Sequence, residues 1–264
     1  AICVSRLERG RKVVCPRPTY AWDERLASLL GADIAGGGRD DELQFDAAAL
    51  EQASQDAAAV VLATQNNPTG SVINPTDLEH LVNTSSALWI IDEAYFEFHG
   101  ETAIELTRNC RNLVVLRTFS KALATAGLRF GCMVAHPEAR PIFSAAKLPY
   151  NLNIFTMAAV ETAIDNAVTL KSRVDEIKRE RERVARRLRE YKGCKVYPSR
   201  ANFILFETDR DPRELWKAMV SRGVLVRDVS NYPRLEKALR VSIGRPEEND
   251  AFLKALEYAI TVVA

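Results

Sequence analysis

Apolar and polar positions alternate in two different styles along the chain. In the first half, short continuous apolar runs at residues 12–15, 58–64, 87–91, 113–116 and 130–135 are separated by helical segments. Runs this short and unbroken, rich in β-branched residues, predict strands buried on both faces. Residues 22–30 have helical spacing and stop at Gly31, and Asp46 is placed to cap an alanine-rich helix. Residues 75–82 predict a further helix, with Asn74 at its N-cap and Pro75 in the first helical position. Strands alternating with helices predict an α/β fold with a mostly parallel sheet. Gly36-Gly37-Gly38 has the composition of a phosphate loop, but no strand-to-helix transition surrounds it and Asp40, Asp41 and Glu42 follow, so it reads as a plain loop.

After Pro149 the pattern changes. Residues 158–166 are helical and lead into a long charged helix over 171–192. There Val174, Ile177, Val184, Leu188 and Tyr191 form one apolar stripe, and acidic residues are interleaved with basic ones. That is a solvated amphipathic helix rather than a nucleic-acid-binding one. A strand at 202–207, a helix opened by Asp211-Pro212 and closed by Gly223, short strands at 224–227 and 239–243, and a helix opened by Pro246 complete a smaller α+β unit. The expected division is a large domain over 1–165 and a small C-terminal domain over 166–264.

The 264 residues suffice for such a two-part core. A net charge of +1 exerts no bulk pull on nucleic acid or membrane. The longest apolar runs are too short to span a bilayer, and residues 1–10 carry charges where a signal peptide has its apolar region. Cys3, Cys15, Cys110, Cys132 and Cys194 show no CxxC pair and no metal-ligand spacing, so reduced thiols in a cytoplasmic protein are expected, with no metal.

Chemistry concentrates at the carboxyl ends of the strands, where open parallel sheets bind their ligands. The run at 58–64 ends in Gln65-Asn66-Asn67-Pro68-Thr69-Gly70, and the run at 87–91 in Asp92-Glu93-Ala94-Tyr95. The run at 113–116 leads into Thr118-Phe119-Ser120-Lys121, with Arg129 eight residues on in Gly127-Leu128-Arg129-Phe130-Gly131. Any one cluster is ordinary: a turn, a cap, a surface pair. Three in this order at one sheet edge point to a binding site.

With these motifs the chain resembles the histidinol-phosphate aminotransferase family, within the fold type I aminotransferases. The likeness continues through Lys147-Leu-Pro-Tyr-Asn-Leu-Asn153, Ala201-Asn-Phe-Ile-Leu-Phe206, Val226-Arg-Asp228 and Leu239-Arg-Val-Ser-Ile-Gly244. It implies pyridoxal 5′-phosphate (PLP) as cofactor. Lys121 would hold the cofactor covalently and serve as general base and acid. Asp92 would hold the pyridine nitrogen protonated, Asn67 and Tyr95 would serve the phenolic oxygen, and Ser120 and Arg129 the phosphate. Tyr20 matches the ring-stacking aromatic, with a core tyrosine at a strand end as the competing reading. Arg240 matches the anion-binding arginine and Arg227 is a second candidate, against a surface salt bridge. Asn202 is placed to line the pocket.

The reaction implied is transamination between histidinol phosphate and 2-oxoglutarate in histidine biosynthesis. Aromatic amino-acid transamination, threonine-phosphate decarboxylation and a catalytically silent protein on the same fold stay open. A homodimer acting on small molecules is implied, with no nucleic-acid or membrane partner. Two departures stand out. Asp23 falls where an aromatic or small residue is expected. The family segment that helps hold the cofactor phosphate, and an N-terminal arm, are expected to precede Ala1.

Overall fold

The structure is a computed structural model that describes residues 9–263. Cys3 falls outside that range. Among the described residues, ten strands form two sheets. The first holds β1 (Lys12–Val14), β2 (Asp33–Ala35), β3 (Ala59–Ala63), β4 (Leu88–Asp92), β5 (Leu113–Thr118) and β6 (Gly131–Ala135). Its spatial order is β2-β1-β3-β4-β5-β6. All neighbours are parallel except β6, which runs antiparallel to β5.

Helices cover both faces of this sheet, which is why its strands are continuously apolar. Val14, Val60, Leu62, Trp89, Ile91, Leu113 and Val115 point to one face, where they pack with Leu50 of α2 (Ala47–Ser54) and Leu78 and Leu81 of α3 (Pro75–Thr84). The alternate residues Val13, Val61, Ile90 and Val114 point to the other. They meet Ala27 of α1 (Ala21–Leu29) and Phe143 of α4 (Arg140–Ala145). The helix starts follow the sequence: Asp46 accepts from the Ala49 N–H at 3.0 Å and Asn74 from the Thr76 N–H at 2.9 Å.

The second sheet is antiparallel, in the order β7 (Lys195–Val196), β8 (Phe203–Glu207), β10 (Ala238–Ser242), β9 (Arg227–Asp228). Helices α7 (Pro212–Ser221) and α8 (Pro246–Val262) pack on it through Leu215, Met219, Phe252 and Leu256. Helix α5 (Ile154–Asp165) precedes α6 (Ala167–Arg189), the charged helix. The apolar stripe of α6 serves both sheets. Val174 joins Tyr95, Phe98, Ala122, Ala201 and Phe203, whereas Val184 and Leu188 join Ile204 and Phe206.

The loops also meet. Gly70 has φ +75°, and a Cβ there would lie 2.6 Å from the Cβ of Ser199. Only glycine accepts both the left-handed backbone and that approach. The Arg200 N–H donates to the Gly70 carbonyl at 2.9 Å across the same seam.

Three elements differ from expectation. Residues 224–227 were expected as a strand, but pairing is confined to Arg227 and Asp228. The run 130–135 does continue the sheet, yet as an antiparallel edge on which Gly131, Cys132 and Met133 are exposed. Strand β2 has no counterpart in the sequence reading, because three residues beginning with Asp33 carry no strand period. Among the described residues, no helix is long and apolar enough to cross a membrane.

Candidate active site

Parallel pairing sets the ends of β3, β4 and β5 level, with Ala63 opposite Asp92 and Asp92 opposite Leu116. The polar segments that follow therefore emerge at one edge. Asp92 closes β4, and one of its carboxylate oxygens accepts from the Ala94 N–H at 3.0 Å. Burial pushes its carboxyl up to about 6, with the adjacent Glu93 adding to the rise, while the Ala94 N–H and Lys121 draw it back toward the ionised form. Glu93 itself points away. It is spent on Arg117 at 2.7 Å, on the Ala103 N–H at 2.6 Å and on the Thr102 hydroxyl at 2.9 Å.

Tyr95 is buried, with its ring edge-on to Phe203 at 5.2 Å between centroids. Burial raises the proton affinity of its hydroxyl, Arg240 lowers it and Asp92 raises it, so both charges lie within reach of the phenol. The Lys121 ammonium sits 5.3 Å from the centre of the Tyr95 ring. Among the described residues Lys121 makes no hydrogen bond or ion pair, and it is exposed.

Arg240 reaches this edge from β10 of the other sheet. Its Nη1 donates to the side-chain oxygen of Asn67, and its guanidinium lies 4.8 Å from the centre of the Phe203 ring. Burial lowers its pKa, and Arg227 lowers it further. Arg227 is directly opposite Arg240 in the β9–β10 register. Two like charges on facing positions repel and favour an anion between or beside them. The Nε of Arg240 is buried without a partner, so a strong donor remains unused.

The connection from β5 to β6 carries the other candidates. The Thr118 hydroxyl donates to the Ser120 hydroxyl at 2.9 Å, and the Ser120 N–H donates back to Thr118 at 3.2 Å. The Thr125 hydroxyl closes the loop onto the Phe119 carbonyl at 2.7 Å. Arg129 takes a left-handed backbone, φ 54°, and its exposed guanidinium donates to the Ala126 carbonyl at 3.0 Å. In this conformation Arg129 is not bonded to Ser120.

Tyr20 stands at the N-cap of α1 and is 40 % exposed, which rules out the core-tyrosine alternative. Its predecessor Thr19 is tied to Asn66 at 3.0 Å, and the Asn66 amide donates to the Pro18 carbonyl at 3.0 Å. The start of α1 is thereby pinned to the turn that carries Asn67. Arg227 is exposed and has no ion-pair partner among the described residues, which removes the surface salt bridge as its explanation. Asn202 is half-buried, and its carbonyl accepts from the Ile243 N–H at 2.8 Å.

The geometry thus gathers Asn67, Asp92, Tyr95, Lys121 and Arg240, with Tyr20 and Ser120 on adjoining turns. Two further residues belong to the group. Phe203 supplies the surface on which Tyr95 and Arg240 rest; the Ala201-Asn-Phe motif was its signal. Asp23, visible only as a departure from pattern, has a buried carboxylate oxygen without a partner.

These groups fit PLP by their chemistry. They comprise an unpaired amine for the carbonyl, a buried carboxylate for a protonated ring nitrogen, amide and phenol donors for the phenolic oxygen, and a hydroxyl and a guanidinium for the phosphate.

Comparison with known proteins agrees. The family model for aminotransferase class I and II matches residues 1–256. A histidinol-phosphate aminotransferase of Prosthecochloris aestuarii is 37% identical over 258 residues, which is 97% of this chain and 72% of that protein. The crystal structure of the histidinol-phosphate aminotransferase from Clostridium acetobutylicum superposes with a TM-score of 0.90 at 25% identity, covering 97% of this chain and 79% of that one. That of Sinorhizobium meliloti, in complex with pyridoxal-5′-phosphate, gives 0.87 at 25% identity, over 98% and 73%. The chain therefore belongs to the class I and II aminotransferases, which are PLP-dependent enzymes.

Proposed function

We propose that this aminotransferase moves the amino group of histidinol phosphate to 2-oxoglutarate, a step of histidine biosynthesis. The observation that carries the reading is Arg240, a half-buried guanidinium whose buried Nε is unused, with a second cation, Arg227, on the facing strand position. Such a pair suits a dianionic phosphate, and the same cations suit a carboxylate of the second substrate. Relatives named histidinol-phosphate aminotransferase, at 34–38% identity, support this choice of substrate.

PLP, when bound, supplies the electron sink that stabilises negative charge on the amino-bearing carbon of the substrate. Lys121 anchors the cofactor through its Nζ. As a free neutral amine, the same Nζ would serve as the base and acid that moves the proton of the amino-bearing carbon. Asp92, as a buried carboxylate, keeps the proton on the ring nitrogen. Asn67 and Tyr95 would donate to the phenolic oxygen, and Tyr20 would cover the ring face. Ser120 and Arg129 take the phosphate of the cofactor. Arg240 and Arg227 orient the substrate by its anion, and Asn202 lines the same pocket.

The site belongs to a homodimer in this reading, and residues 1–165 and 166–264 are its two domains. Leu148, Tyr150, Ile154 and Phe155 support the dimer: four large apolar side chains stand exposed just before and at the start of α5.

Single-turnover reactions with histidinol phosphate, phenylalanine and threonine phosphate test the substrate. Histidinol phosphate should react fastest and release a keto product. Faster reaction with phenylalanine overturns the assignment in favour of aromatic transamination. Carbon dioxide release from threonine phosphate overturns it in favour of decarboxylation.

A further inference from the structure

One position breaks the apolar stripe of α6. Val174, Ile177, Val184 and Leu188 share one helix face, and residue 181, four after Ile177 and three before Val184, falls on that face as an arginine. The other arginines of the helix are exposed or half-buried, whereas Arg181 is 5 % exposed. Among the described residues Glu93 is the one other charged side chain so buried. An apolar residue would fill this place without desolvating a charge, so the bonds of the guanidinium account for its presence. Its Nε and Nη2 both donate to the exposed carboxylate of Glu182 at 3.1 Å. Its Nη1 serves the interior and donates to the carbonyl of the fully buried Ala201 at 2.9 Å.

Ala201 sits in the segment that leads into β8. There the Ala201 N–H donates to the Ser199 hydroxyl at 3.1 Å, and that hydroxyl donates to the Phe203 carbonyl at 2.6 Å. The Arg200 N–H and the Asn202 carbonyl tie the same segment to Gly70 in the turn after β3 and to Ile243 after β10. Arg181 adds a hold from the helix behind. Val174 and Ile177, two turns and one turn before it, pack with Tyr95, Ala122, Ala201 and Phe203. One face of α6 thus backs the tyrosine after β4, the neighbour of Lys121 and the phenylalanine on which the two sheets meet. The Phe203 ring lies 5.2 Å from that of Tyr95 and 4.8 Å from the Arg240 guanidinium.

We propose that Arg181 is a positioning residue of the reaction: through the Ala201 carbonyl it fixes the segment that carries Phe203, and Phe203 holds the Arg240 guanidinium in the orientation that grips the substrate anion. The role rests on the reading of Arg240 given above. Arg181 acts at one remove, and the bond it makes to a buried carbonyl is short and directional. With that bond gone, Phe203 can shift under Arg240, and a misplacement of about 1 Å is enough to weaken a positioned contact severely.

A double-mutant cycle on the PLP-loaded enzyme tests this, with the glutamate half-reaction as readout. Arg181→Met completes the apolar stripe, so the fold read by circular dichroism should survive. In this variant kcat/KM for glutamate should fall about tenfold, mostly through KM, because the anion is held alike before and during the reaction. In an Arg240→Ala background the same substitution should change kcat/KM by less than about twofold, since the group it acts through is gone. Arg181→Lys, which can still donate to Ala201, should recover most of the loss. An equal fall in both backgrounds, no fall in either, or a lysine variant as impaired as the methionine one overturns the proposal. If Arg240→Ala alone leaves the glutamate reaction unchanged, the reading of Arg240 fails first, and the positioning role with it. Should Arg181→Met not fold, Arg181→Gln, too short to reach the carbonyl, carries the same cycle with the same outcomes. Hydrogen exchange on the cofactor-free chain gives a readout apart from activity. The Ala201 and Ile243 N–H groups should exchange about tenfold faster in Arg181→Met than in wild type. Unchanged protection at both would show that the arginine does not hold the segment, and would overturn the proposal as well.

Discussion

The turns after β3 and β4 and the connection from β5 to β6 deliver candidate residues to one sheet edge, but they hold them differently. Tyr95 is buried, Asn67 and Asp92 are half-buried, and Arg240 locks onto Asn67 from the other sheet. Their proton affinities are set by burial and by one another. Ser120, Lys121 and Arg129 stand on a loop of backbone and hydroxyl bonds, and the lysine and arginine reach into solvent. The difference separates two tasks. Groups that stabilise charge on a ring gain strength from a low-dielectric setting fixed in advance. Groups that must capture a cofactor and exchange a covalent partner need access.

That contrast can be broken at three points. Lys121→Ala should produce the largest effect: turnover stops and the visible absorbance of the lysine-bound cofactor is lost, while the fold, read by circular dichroism, stays intact. Retained turnover at the wild-type rate would refute the assignment of Lys121. Arg240→Ala comes next, because it removes a half-buried guanidinium that contacts Asn67. Transition-state stabilisation should fall by about 2–5 kcal/mol for both half-reactions, as for a desolvated charge pair that loses one member. An unchanged kcat/KM for glutamate would mean that Arg240 does not hold the anion. Arg129→Ala should cost least. An exposed guanidinium is screened by water, so PLP affinity should drop by about tenfold or less. The deficit should shrink as salt is added. A salt-independent loss, measured by equilibrium binding, would show that the loop closes over the phosphate more completely than its exposed state suggests.

Much of the inner half was legible in the sequence. Val60, Leu62, Ile90 and Val114 are apolar without interruption because helices cover both sides of the sheet, and that continuity marks where each strand stops and its polar cluster begins. Other features were not legible, for physical reasons. Strand β2 is too short to show a period. Strand β6 is apolar, yet Met133 on it is exposed, since composition reports what a residue prefers and not what packs upon it. The bond between Arg240 and Asn67 joins residues 173 positions apart and exists only because two sheets meet. Asp23 shows the same limit: its helical position follows from spacing, but the burial of its unpartnered carboxylate oxygen does not.

The glycine turn at residue 70 has a consequence for engineering. It is the resting surface for Ser199 and Arg200, and three residues before it the same turn bears Asn67. The C-terminal sheet is therefore not an interchangeable module. A transplanted small domain must bring its own close-fitting counterpart of residues 199–200, or the graft will shift the amide that Arg240 engages and detune the pocket without altering a single residue in it.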